Sequence, residues 1–121
     1  MEMAELKYVI ETELKNNHVG HEKKAEKWEF VEKIFGVQIP EAERNNLNKY
    51  ERRARMAMSE LRQAGVLICS DTAGGYWLAD SLDDALGVAN DFRSRAKDLL
   101  LTARQLRQRA RATFGGQLRL M

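Results

Sequence analysis

KYERRARMAMSELRQAGVLICSDTAGGYWLA, running from Lys49 to Ala79, decides how this chain folds. Its first half is helical in period. Ala54, Ala57, Met58 and Leu61 form an apolar stripe, while Arg52, Arg55, Met56, Ser59 and Arg62 fall largely on the other side, with Arg53 near the boundary. Asn48 stands where an N-cap belongs, and Glu51 three positions later makes a capping-box pattern. Gly65 ends the helix as a C′ residue does. Val66–Ser70 and Tyr76–Ala79 then read as strands, joined by a turn over Asp71–Gly75. A lone hairpin is marginal, so it must lean on helices. Alternation along the second strand makes one of Tyr76 and Trp77 a core residue.

Two helices are expected upstream. Leu6, Val9, Ile10 and Leu14 predict the first over residues 3–16, stopped by Asn16–Gly20. Ala25, Trp28, Val31, Ile34 and Phe35 predict the second over about 22–35, ended by Gly36, with Trp28 in the core. Val37–Ile39 should be extended ahead of Pro40, and Pro40 suits the first turn of a short helix through Arg44.

Downstream, Ser81 with Asp84 three positions on begins a long helix to about Ala112. A helix of that length must break, with Gly87 one candidate, or find a partner. Its seam is a heptad register, with Ala89, Ala96, Ala103 and Ala110 at a and Phe92, Leu99 and Leu106 at d. This predicts a coiled coil, and a homodimer through the helix, over packing on the chain's own core. The expected organisation is a domain over 1–80, a basic helix over 81–114 and a flexible tail over 115–121.

The 121 residues suffice for one real core, and no apolar run is long enough to span a bilayer. The acidic, amphipathic start is not a signal peptide, and the single Cys69 forms no internal disulfide, so a cytoplasmic protein is expected. Net charge is +2, but from Phe92 onward one acid, Asp98, stands against eight Lys or Arg. Arg104, Arg107 and Arg111 share one helix face, which could track a phosphate backbone. Catalytic candidates are poor. His18 and His21 lack companion metal ligands, Cys69 sits in an apolar strand, and Gly74-Gly75 is a turn without a phosphate-loop motif. No cofactor and no enzymatic activity are expected.

A helix running into a β-hairpin is the pattern of a winged helix. Met58 through Ala79 resembles the recognition helix and wing of the biotin-repressor type of winged helix-turn-helix, and also small winged-helix proteins of phages and prophages. The resemblance is carried by Met58, Leu61, Arg62, Gly65, Ile68, Gly75, Tyr76 and Leu78. It covers about residues 50–80; the upstream helices match in order only, and Gln38–Asn48 is longer than the usual tight turn. It implies a mainly α fold with a small hairpin and binding to double-stranded DNA, in transcription regulation or replication. The expected contacts are Lys49, Tyr50, Arg52, Arg53, Arg55, Ser59 and Arg62 on the helix and Ser70 and Thr72 on the wing, with Arg104, Arg107 and Arg111 beyond. The wing carries an acid and no base, which favours the alternative, a protein-interaction module whose basic helix docks on an acidic partner.

Overall fold

The computed structural model describes residues 1–118, with side chains through residue 116. It is mainly helical with a small antiparallel sheet and a long C-terminal helix. The chain divides into two compact units, Met1–Val88 and Ala89–Met121.

In the first unit α1 spans Met3–Asn17, β1 Ala25–Glu26, α2 Lys27–Phe35, α3 Lys49–Gln63, β2 Ile68–Ser70 and β3 Gly75–Leu78. Short 3-10 turns cover His21–Lys23 and Glu41–Glu43. The strands lie in the order β1-β3-β2, with Ala25 opposite Tyr76 and Cys69 opposite Trp77. Helix, strand, two helices and a hairpin follow one another in this order, and the mainly α fold with a small hairpin expected from the sequence is present.

The core is where the apolar periods converge. Leu6, Ile10 and Leu14 of α1 are wholly buried, as are Ala54 and Ala57 of α3, against which α1 chiefly packs. Phe30, Val31 and Ile34 close the layer from α2, and Ile68 and Tyr76 from the sheet. Trp28 is half-buried at the margin of this core, not inside it. Asn48 caps α3, its Oδ1 accepting from the backbone N–H groups of Tyr50 and Glu51 at 3.0 and 3.1 Å. Gly36 ends α2 in the left-handed region at φ +65°.

Two further expectations about this unit change. The segment read as the start of the second helix instead holds β1, and α2 begins only at Lys27. Ala25 and Glu26 are extended because β3 offers them a ladder, and Glu26 then caps α2 by accepting from Glu29 N–H at 2.8 Å. Tyr76 and Trp77 are both buried, although they point to opposite faces. β3 is the central strand, and the face that carries Trp77 is covered too. His21 packs edge-on against its ring at 4.7 Å, and its Nε1 donates to Asp84 Oδ2 at 2.9 Å.

Asp84 belongs to α4, Leu82–Leu118, whose first turn is capped by Ser81 Oγ accepting from Asp84 N–H at 3.1 Å. Residues 82–88 therefore go with the first unit, later than the boundary at 80 expected from the sequence. The helix is continuous through Gly87, so of the two alternatives, a break or an unbroken rod, the second holds, and it runs on through Gly115 and Gly116, where a flexible tail was expected. Glycine lowers helix propensity by about 1 kcal/mol but does not forbid the conformation. Residues 119–121 of the expected tail lie outside the described residues. Among the described residues no helix is long and apolar enough to cross a membrane.

α1 and α2 are tied together by Glu13, which accepts from Lys33 Nζ at 2.9 Å and Asn17 Nδ2 at 3.0 Å and meets His18 Nε2 at 3.0 Å. Burial works to raise its carboxyl pKa, but the bonds from Lys33, His18 and Asn17 outweigh it and hold the group below its ordinary value of 4.5. A depressed carboxyl stabilises the fold above its unfolded pKa and loses that contribution as pH falls through its folded value. Glu13→Gln should therefore lower the melting temperature at pH 7, and the gap to the parent should close as the pH is taken down past 4.5, followed by circular dichroism. A second prediction concerns Gly20, at φ +89° and ψ 150°, where an added Cβ would meet Asp80 Oδ2 at 2.7 Å. At Gly36, φ +65°, a Cβ meets nothing within 4 Å. Gly36→Ala should cost about 1–2 kcal/mol for backbone strain alone, and Gly20→Ala clearly more, in urea denaturation.

Candidate nucleic-acid interface

Because α3 is buried along Glu51, Ala54, Ala57, Met58 and Leu61, its opposite ridge is presented outward. Lys49, Arg52, Met56, Ser59 and Gln63 lie at helical spacing along that ridge and are all exposed. Arg52 has no hydrogen bond or ion pair among the described residues, so its guanidinium is open to a ligand. Lys49 holds its ammonium 5.0 Å from the ring of Tyr50. Tyr50 is half-buried and packs on Phe35 at 5.1 Å, so it offers an edge and not a free ring. Beside this end of the helix lies an open pocket of about 400 Å³, whose lining includes Glu43, Asn45, Leu47, Asn48, Lys49 and Tyr50.

The other arginines are less free than their spacing promised. Arg53 donates to the carbonyl of Met1 at 2.6 Å. Arg55 lies on the inner flank, its Nε 2.6 Å from Glu51 Oε1, and it also donates to the Asn46 carbonyl at 3.3 Å. Arg62 is half-buried. Its Nε donates to the Ile68 carbonyl at 2.8 Å and its Nη2 to Ser70 Oγ at 3.4 Å. Arg62 and Ser70, both expected to touch a ligand, thus brace α3 against β2.

Glu51 is the centre of this flank. Its backbone N–H takes the Asn48 cap, but its side chain turns inward and does not close the capping box. It is 1% exposed, and neither carboxylate oxygen has a well-aligned hydrogen bond. Compensation is ionic, from Arg55 and from Lys27 Nζ at 3.4 Å. The short Arg55 contact is thus a close ion pair of poor hydrogen-bond alignment. One signal of inward turning was present in the sequence, because Glu51, Ala54, Met58 and Leu61 share the spacing of the core stripe. Burial, reinforced by the charge of Glu51, pushes the Tyr76 hydroxyl up to about 12.

The wing acid is also accounted for. Asp71 Oδ2 accepts from Lys24 Nζ at 2.7 Å and lies 3.6 Å from His21, and Oδ1 accepts from Gly75 N–H at 2.9 Å. These bonds, Lys24 foremost, hold its carboxyl below the usual range. Lys24 and Lys27 run alongside Gly75 and Gly74, so the wing has basic neighbours that the helical reading of 22–35 concealed. Thr72 is exposed at the tip. Burial and Asp84 raise the Cys69 thiol to about 11, which leaves it protonated at neutral pH. No cluster of three or more His, Cys, Asp or Glu could hold a metal among the described residues.

In the second unit, Arg104, Arg107 and Arg111 are exposed on α4 without ion pairs among the described residues. The seam residues Ala89, Ala96, Leu99, Ala103, Leu106 and Ala110 are exposed as well. Phe92 is 39% exposed, with the Arg95 guanidinium 4.6 Å from its ring centre.

The Glu51 cluster makes a stability prediction. Removing one partner from a buried ion pair is usually more harmful than replacing the charge by an apolar group. Arg55→Ala should destabilise the protein by about 1–3 kcal/mol, discounted because the Arg55 side chain is half exposed. Glu51→Met should stay within about 1 kcal/mol of the parent and abolish most of the Arg55→Ala effect, in a double-mutant cycle by urea denaturation. Comparison with protein-family models, curated proteins and solved structures returned no match to this chain.

Proposed function

We propose that this chain is a non-catalytic binder of double-stranded DNA, acting in transcription or replication. α3 would enter the major groove, with Arg52 as the base- or phosphate-gripping side chain. Lys49 would anchor the start of the helix. Ser59 and Gln63 would reach further along the ridge, and Thr72 would meet the backbone at the tip of the hairpin turn. The observation that carries this reading is the free, exposed guanidinium of Arg52 on a helix whose other side is locked into the core. A groove accepts such a helix, and a planar fork can take a guanine edge or a phosphate in two places.

A protein-docking role for the same surface is favoured by one specific observation. Arg55 and Arg62 spend donors on the chain itself, which leaves the face only modestly cationic.

Retention on duplex DNA between about 50 and 200 mM salt separates the two, since phosphate contacts make affinity fall steeply over that range. Arg52→Ala should weaken binding by about tenfold, and Arg104→Ala with Arg107→Ala should leave it within about twofold. A flat and negligible response to salt would assign the face to a protein.

A further inference from the structure

We infer that residues 89–116 of α4 are a docking site for an acidic amphipathic helix of another protein. In the heptad register the exposed seam is broadened at e by Leu100 and Phe114, which are 71% and 52% exposed. Leu99 and Leu106 at d are 71% and 65% exposed. The charges flanking the seam are all of one sign, with Arg93 and Arg107 at e, Arg95 and Arg109 at g, and no acid at either position.

Charge selects among the occupants. A second copy of the chain, the partner expected from the alanine seam, covers the leucines but offers no acid to any of these arginines, in either orientation. It also adds its own balance of seven cations and two acids over the same stretch. A phosphate backbone answers the arginines and leaves the leucines in water. A helix with apolar a and d positions and Glu or Asp at e and g meets both demands, because e and g charges decide which helix pairs with which. Intrahelical neighbours point the same way. Arg93 and Lys97, and Arg107 and Arg111, are like-charged pairs at i, i+4; Asp91 and Asp98 stand at helical spacing only from Arg95, and no ion pair forms within 89–116 among the described residues.

The test uses the full chain and two synthetic helices of about four heptads with Leu at a and d, one with Glu and one with Lys at e and g. Binding is measured calorimetrically at about 150 mM salt, with sedimentation to give the mass. The Glu peptide should bind at least about tenfold more tightly than the Lys peptide. Leu99→Ser with Leu106→Ser should weaken it by about tenfold, and Arg93→Glu with Arg107→Glu, which leaves two arginines against two glutamates beside the seam, should abolish the preference. All four residues are exposed, so the fold should tolerate these changes. Three results would overturn the proposal. One is Glu-peptide binding that ignores the leucine substitutions, which marks charge alone. Another is a dimer that neither peptide opens and that Ala96→Glu converts to monomer, which makes the occupant a second copy. The last is no Glu-peptide binding beside duplex DNA binding that needs Arg93 and Arg107, which makes it nucleic acid.

Discussion

One-sided burial of α3 is the constraint on which everything the first unit can present depends. Ala54 and Ala57 are wholly buried and small, so α1 can lie close against α3 while Leu6, Ile10 and Leu14 fill the space around them. Larger residues there would force the helices apart and change which ridge faces outward. With that contact made, the position of every α3 side chain follows from its angle around the helix. Residues such as Arg52 point away from the core, and those on the flanks, Arg53, Arg55 and Arg62, meet the chain's own carbonyls and carboxylate. An arginine-rich helix is therefore not uniformly cationic toward a ligand.

The flanks explain how helix and sheet are held in register. On one side Glu51 draws Lys27 from α2 and Arg55 from α3 to a single buried carboxylate. On the wing side Arg62 ties α3 to the Ile68 carbonyl, and Asp71 ties the turn to Lys24. Each link uses a charge that a reading of composition would assign to the surface. A buried carboxylate between two cations is costly to desolvate and contributes little net stability, but breaking it is harmful. Such a cluster fixes the α2–α3 junction more than it strengthens it.

How far the sequence could be read follows from which interactions are local. Asn48, Ser81 and Gly36 act through their own helix ends, and all three terminate or cap as expected. β1 was not readable because two residues have no period. Ala25 and Glu26 are a strand only because β3 lies beside them. The burial of both Tyr76 and Trp77 likewise needs the sheet order, since alternation assigns one face to water unless something covers it. At the candidate site, the ridge of Arg52, Met56, Ser59 and Gln63 was implicit in helical spacing, but the diversion of Arg55 and Arg62 was not. Their partners are a side chain turned against the capping-box expectation and a carbonyl across the Gly65 turn.

The two units treat charge in opposite ways. In the first, most cations near the presented face are matched by an acid or a carbonyl within a few ångströms, which leaves Arg52 and Lys49 as the unspent groups at the front of α3. In the proposed binding, that face would offer a few positioned donors and the shape of a helix edge. In the second, the cations of residues 93–111 have no ion pairs among the described residues and stand beside exposed leucines. In the proposed docking, selectivity would come from a partner that satisfies charge and apolar surface together, because either alone leaves the other uncompensated. The net charge of +2 averages over these two regimes and describes neither.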